Sequence, residues 1–139
     1  MNLFELAIAR KIGKIFALAA TNRKYNCSEF VHKWLASETY QSVIDFETYI
    51  CSQSRDYILS VFEEEIKEHL PAIDENSKYL EDAMWWLGYI VTYWFFLDGT
   101  TGPDILHNIN IDKVLSEYDV LHTLDVRLAI EKIKEDDAL

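Results

Sequence analysis

The side chains best suited to catalysis or metal binding are four histidines and two cysteines, and their spacing matches no common motif. They are His32, His69, His107, His122, Cys27 and Cys51. Two histidines one turn apart on a helix would suit zinc, but the chain has no HxxxH or HExxH pair. It also lacks a CxxC pair and the GxSxG turn that exposes a nucleophilic serine. We therefore expect no enzyme activity, no catalytic residue, no metal and no cofactor.

When the sequence is aligned with itself, two of the histidines fall at equivalent positions. A shift of 75 residues aligns Phe30-Val31-His32 with Ile105-Leu106-His107. One interpretation is a paired acid–base site across a two-fold axis; the other is an imidazole bonded to a backbone carbonyl at each place. For His122-Thr123 we expect Thr123 to cap the last helix by accepting from the amide of Asp125 or Val126.

The charge of the chain is strongly negative and unevenly distributed. Twenty-four acids against thirteen bases give a net charge of −11. Residues 1–24 carry a net +4, which leaves −15 for residues 25–139. Because phosphate backbones and anionic lipid repel such a chain, we expect no direct nucleic-acid binding and no membrane binding.

Two acidic runs account for much of this charge. The first consists of Glu63, Glu64, Glu65 and Glu68. We expect Glu63, Glu64 and Glu68 on the solvent side of a helix, where they are candidate partner-binding residues. The second contains Glu131, Glu135, Asp136 and Asp137, and we expect its last two residues to fray.

The location of the protein is predicted to be cytoplasmic. No secretory signal precedes the cysteines, and reduced thiols are the simplest interpretation of both. The apolar stretch Met84–Leu97 has fourteen residues, whereas a membrane span needs about 20. A helix in a protein core is the better interpretation of this stretch.

Apolar residues recur at intervals of three and four, which predicts an all-α fold of about eight helices. Asn2, Asn26, Ser37, Ser54 and Thr101 stand where helix caps are expected, and Pro71 is expected to end the helix that Ser54 starts. Residues 3–22 and 77–97 are predicted to form the two central helices.

The sequence pattern predicts a single domain, 1–139, built from two pseudo-repeats. The first covers 1–70, the second covers 77–139, and residues 71–76 are the predicted linker. The 75-residue shift also superimposes Gly13 on Gly88 within the two central helices. Glycine costs a helix about 1 kcal/mol relative to alanine, so we expect a close helix–helix approach at both positions.

The second central helix is unusually aromatic. Its rings point in every direction at about 100° per residue, so a small domain has difficulty covering all of them. Either helices from both halves wrap this helix completely, or an aromatic patch remains exposed and binds a partner. For the second case we select Trp86, Tyr89 and Tyr93, whose polar tips suit the rim of an interface.

The segment YDVLHT, at 118–123, resembles a motif of a family of small bacterial helical domains of unknown function. Tyr118, Leu121, His122 and Thr123 carry the resemblance, and Leu124-Asp125 departs from the usual pattern. The first half resembles a companion small family. The resemblance implies a gene beside one for an ADP-ribosyltransferase-like protein, in a toxin–antitoxin arrangement.

These observations favour a non-enzymatic, antitoxin-like inhibitor that occludes the active site of a nearby-encoded toxin with a basic groove. One alternative is an acidic mimic of nucleic acid that inhibits a defence nuclease. Another is a structural module that associates with itself through the aromatic helix, so a homo-oligomer remains open.

Overall fold

The computed structural model describes residues 1–67, residue 70 and residues 80–139, and within them the chain is all-α. It has ten helices in that part: α1 Leu3–Thr21, α2 Cys27–Leu35, α3 Glu38–Ile44, α4 Thr48–Cys51, α5 Arg55–Ile66, α6 Leu80–Asp98, α7 Gly102–Asn108, α8 Ile111–Ser116, α9 Tyr118–Leu121 and α10 Val126–Asp136. The predicted fold class is confirmed.

The helix count exceeds the expected eight because two helices have a single turn. These are α4 and α9, each of four residues, which are too short to show a periodic apolar pattern. The linker at 71–76 lies outside the described residues, so the division into pseudo-repeats remains a prediction. Among the helices of the described part, none has both the length and the apolar character that a membrane crossing requires.

Polar caps determine where the larger helices begin, as the sequence predicted. Asn2 forms a capping box with Glu5, and the side chains of Asn26, Ser37, Ser54 and Thr101 each accept from the amide three residues later. The predicted end of α5 was wrong. The helix stops at Ile66, where Lys67 adopts a left-handed conformation with φ of 51°, well before Pro71.

The centre of the fold is the contact between α1 and α6. A Cβ built on Gly88 would lie 2.7 Å from Phe16 Cγ and 2.9 Å from the backbone oxygen of Ile12. One built on Gly13 would lie 2.8 Å from the backbone oxygen of Trp85. Both glycines are therefore needed for the backbones to approach, which confirms the predicted close approach.

An aromatic cluster fills the space between α1, α2 and α5. Phe30 is fully buried and makes edge-to-face contacts with Phe16 and Phe62, at ring-centroid distances of 5.2 Å and 5.4 Å. Trp34 packs against the same rings and against Tyr40 of α3. Such pairs contribute about 0.5–1.5 kcal/mol beyond the burial of their area. This cluster packs against one side of α1, and α6 packs against another side.

Replacing Gly88 with alanine is expected to destabilise the fold, although alanine is the better helix former. The new methyl group would overlap a backbone oxygen that has no freedom to move aside, so we expect a loss of about 1–3 kcal/mol in the free energy of unfolding. Urea denaturation measures this value. The reference variant is Ala7→Gly on the exposed face of α1, where lost helix propensity alone predicts about 1 kcal/mol. A Gly88→Ala variant more stable than the parent would contradict the close crossing.

Candidate functional site

Three aromatic side chains form a row on the outward face of α6. Trp85, Tyr89 and Tyr93 are four residues apart, so they lie one above another, and each is half-buried. The rings of Trp85 and Tyr89 are stacked, with centroids 5.3 Å apart and an interplanar angle of 11°. Tyr89 and Tyr93 follow at 5.8 Å. We call these three residues the aromatic stripe.

The stripe lies beside the exposed face of α1. Trp85 covers Gly13, whose missing side chain makes room for the indole. Burial raises the pKa of Tyr89, and the nearby Arg10 guanidinium acts in the opposite direction, which places a positive charge next to the stripe. Arg10 and Lys14 are both exposed, one turn apart on α1.

A second aromatic pair occurs farther along α6. Phe96 stacks on Phe46, with ring centroids 5.7 Å apart, and Phe46 is 39% exposed. Phe46 has a φ of 58°, a left-handed conformation that is rare for a bulky side chain. The surface of α6 therefore presents aromatic rings at two places along its length.

The structure places the three predicted rim residues of this helix in two different environments. Tyr89 and Tyr93 belong to the stripe, whereas Trp86 is only 9% exposed and packs edge-to-face on Tyr118 at 5.7 Å. Trp86 therefore belongs to the core and is not part of a rim. Trp85 takes the surface position instead, and the spacing of four that it shares with Tyr89 and Tyr93 is the signal that identifies it.

Part of the first acidic run forms hydrogen bonds with other side chains of the protein. Glu63 accepts hydrogen bonds from Arg23 Nε, at 3.1 Å, and from the hydroxyl of Tyr25. Burial and the Glu63 carboxylate raise the pKa of Tyr25 to about 12. Glu64 is exposed on an open groove along α5 that Tyr57 also lines, and Glu68 lies outside the described residues. Of the three predicted partner-binding glutamates, the described residues leave Glu64 facing solvent.

Glu65, a member of the same acidic run that was not among the predicted partner-binding residues, links α5 to α3. Its carboxylate accepts from the amides of Glu38 and Thr39, each at 2.8 Å, and from the Thr39 hydroxyl at 2.6 Å. It therefore satisfies amides in the first turn of α3. Burial raises the pKa of Glu65, but the bonds from Thr39 and Glu38 outweigh it, and the net shift is downward.

The YDVLHT motif forms α9 and the turn after it. Tyr118 stacks on His122 at 4.4 Å, Leu121 is buried, and the His122 ring bonds to the Tyr118 carbonyl. The predicted capping role of Thr123 was wrong. Its hydroxyl donates to the Val120 carbonyl, and Asp125 caps α10 by accepting from the Arg127 amide. The motif therefore shapes a turn and anchors Trp86.

The remaining histidines show no catalytic arrangement. His32 is exposed and its ring bonds to the Ser28 carbonyl at 2.7 Å, as the simpler interpretation predicted for that residue. His107 is exposed on α7, and His69 lies outside the described residues. Within residues 1–67 and 80–139, no three acids, histidines or cysteines converge on a point that could hold a metal. Cys27 and Cys51 are not joined by a disulfide.

The contrast between Glu65, which accepts bonds from α3, and its neighbour Glu64 gives a direct test. We expect Glu65→Ala to lower the free energy of unfolding by about 1–3 kcal/mol because the amides of α3 lose their acceptor, whereas Glu64→Ala should change it by less than about 0.5 kcal/mol. Because the pKa of Glu65 is lowered on folding, its contribution is present above the unfolded value of about 4.5 and is lost as the pH falls through the folded value. Urea denaturation of both variants at neutral and acidic pH measures this, and equal losses would contradict the assignment.

Comparison with known proteins leaves the chain without an assigned family. No protein-family model, no curated protein and no solved structure matches it. The resemblance carried by Tyr118, Leu121, His122 and Thr123, with the gene neighbourhood that it implies, remains a prediction. The described geometry is a row of half-buried aromatic rings, the aromatic stripe, on an all-α fold.

Proposed function

We propose that this chain is a non-enzymatic protein-binding module and that the aromatic stripe anchors its partner. The observation that carries the proposal is the row of half-buried rings at Trp85, Tyr89 and Tyr93. Tyrosine and tryptophan are the residues that most often dominate binding energy at protein interfaces. Stacked rings also lose little side-chain freedom on binding, because each ring is already held by its neighbour.

The partner we propose is an ADP-ribosyltransferase-like toxin encoded nearby, which this protein inhibits as an antitoxin in the cytoplasm. This partner rests on the family resemblance and on charge. Residues 25–139 carry −15, and Glu64, Glu131 and Glu135 are exposed. A groove that binds an anionic dinucleotide is basic, so an acidic protein is steered towards it and its acidic helix faces cover it. Because Arg10 and Lys14 border the aromatic stripe, the stripe anchors the partner beside this groove and not within it. Occlusion of that groove is the proposed mechanism of inhibition.

The alternative of nucleic-acid mimicry has less support. A mimic needs outward-facing carboxylates in rows that follow phosphate spacing. Glu63 and Glu65 accept hydrogen bonds from Arg23, Tyr25 and Thr39, which fix the positions of these two carboxylates. The described carboxylates of this run therefore do not form the evenly spaced outward row that a mimic needs.

Truncating the stripe should weaken binding without unfolding the protein. We expect Tyr89→Ala or Tyr93→Ala to cost at least about 2 kcal/mol, or about thirtyfold in Kd, for the toxin-like product of the adjacent gene. Isothermal titration calorimetry measures the affinity, and circular dichroism checks the fold. Tyr57→Ala is the matched control, because Tyr57 is an exposed tyrosine on a different helix, α5. The Kd should also rise with salt concentration.

Two results would overturn this proposal. If the parent protein does not bind the adjacent gene product, the proposed partner is wrong. If Tyr57→Ala weakens binding while Tyr89→Ala does not, the partner binds at the α5 groove and the stripe is not the anchor. Sedimentation that shows self-association through Tyr89 in the absence of a partner would favour the structural-module alternative.

A further inference from the structure

The segment that follows α10 is held against the connection between α7 and α8, although the sequence predicted that Asp136 and Asp137 fray. The Asn110 amide donates to the Asp137 carbonyl and the Leu139 amide donates to the Asn108 carbonyl, each at 2.9 Å. Ile109 and Ala138 thereby form an isolated β-bridge. We call this arrangement the clasp of residues 137–139.

Two carboxyl groups meet beneath the clasp. The Asp137 side chain is 1% exposed, and Lys113 Nζ lies 3.5 Å from its Oδ1. Among the described residues, no hydrogen-bond donor serves either Asp137 carboxylate oxygen or Oε1 of Glu117, and all three atoms are buried. Lys113 also donates to the carbonyl of Asp136. Lys113 thus pairs with the buried Asp137 carboxylate, and its charge also acts on the half-buried carboxyl group of Glu117.

Two carboxylates that face each other are both acceptors, so they form a hydrogen bond only when one of them carries a proton. Leaving both charged in a buried site is costly, because Lys113 compensates one negative charge and a second remains. We propose that Glu117 holds one proton taken from solvent and shares it with Asp137 by donating a hydrogen bond, and that this bond closes the clasp of residues 137–139 onto Asn108 and Asn110.

The charged groups around Glu117 favour a proton on its carboxyl group. The pKa of Glu117 is raised, first by its hydrogen bond with Asp137, then by burial and by the negative charge of Asp137. Lys113 on α8 opposes this shift, and Asp136 at the end of α10 adds to it. Because the folded pKa is the higher one, the stabilisation is complete below the ordinary value of about 4.5 and is lost as the pH rises through the folded value.

A second polar contact of α10, between Lys134 and Asp98, has the opposite pH dependence. Lys134 Nζ bonds to Asp98 Oδ2 at 2.9 Å and lies over the Trp94 ring. Burial opposes ionisation of Asp98, but bonds from Thr100 and Lys134 outweigh it and lower its pKa to about 2. This contact is therefore present above the ordinary value of 3.8 and is lost as the pH falls through about 2. Of these two contacts, the clasp of residues 137–139 is the one that weakens as the pH rises.

Hydrogen exchange of two amides tests the clasp. The Asn110 and Leu139 amides should lose protection as the pH rises from about 4 to about 8, after correction for the intrinsic exchange rate. The protection factors of these amides should fall by about tenfold for each pH unit by which the pKa of Glu117 exceeds its ordinary value. Glu117→Gln supplies a permanent amide donor to Asp137, so its protection should stay constant over the same range. Asp119→Asn is the matched control, since Asp119 is an exposed carboxylate nearby, and it should behave as the parent protein does.

The outcomes separate the alternatives clearly. Protection of Asn110 and Leu139 that does not change with pH in the parent protein would overturn the proposal, as would an unchanged pH dependence in Glu117→Gln. If Glu117→Gln does not fold, nuclear magnetic resonance titration of the Glu117 carboxyl carbon in the parent protein decides. A midpoint above about 4.5 supports the shared proton, and a midpoint at or below it refutes it.

Discussion

The direct backbone contact between α1 and α6 is the constraint on which the rest of the molecule depends. It requires glycine at both Gly13 and Gly88, and it places the ring of Trp85 where a side chain on residue 13 would otherwise be. The same contact turns Ile12 and Phe16 towards the core, where Phe16 meets the aromatic cluster of α2 and α5. The outward row of rings and the inward cluster are thus two consequences of one helix pair.

The helix starts and the close helix approach at Gly13 and Gly88 were predictable from sequence, whereas other features set by tertiary contacts were not. Helix starts at Asn2, Ser54 and Thr101 follow from a side chain and an amide three residues away, which a sequence displays directly. The end of α5 at Ile66 and the choice of Trp85 over Trp86 for the surface depend on packing. Composition shows that a helix is aromatic, but its neighbours decide which rings remain accessible.

Charge patterns proved a poor guide to which acids face solvent. Asp137 appeared to be part of a fraying acidic end, yet it is the most deeply buried ionisable side chain of that run. Glu63 and Glu65 likewise accept bonds from other elements of the fold. A net charge of −11 therefore overstates the acidity available to a partner at any one face. The proposed inhibitor consequently relies on its rings for affinity and on its overall field for encounter.

The separation of the two glycines along the chain has a consequence for biosynthesis. Gly13 and Gly88 are 75 residues apart, so α1 leaves the ribosome well before the helix that must cover it exists. During that interval the apolar surface around Ile12 and Phe16 lacks its native cover and is open to chaperones or to aggregation. Such a distant pairing also slows folding, because a long loop must close before the contact forms.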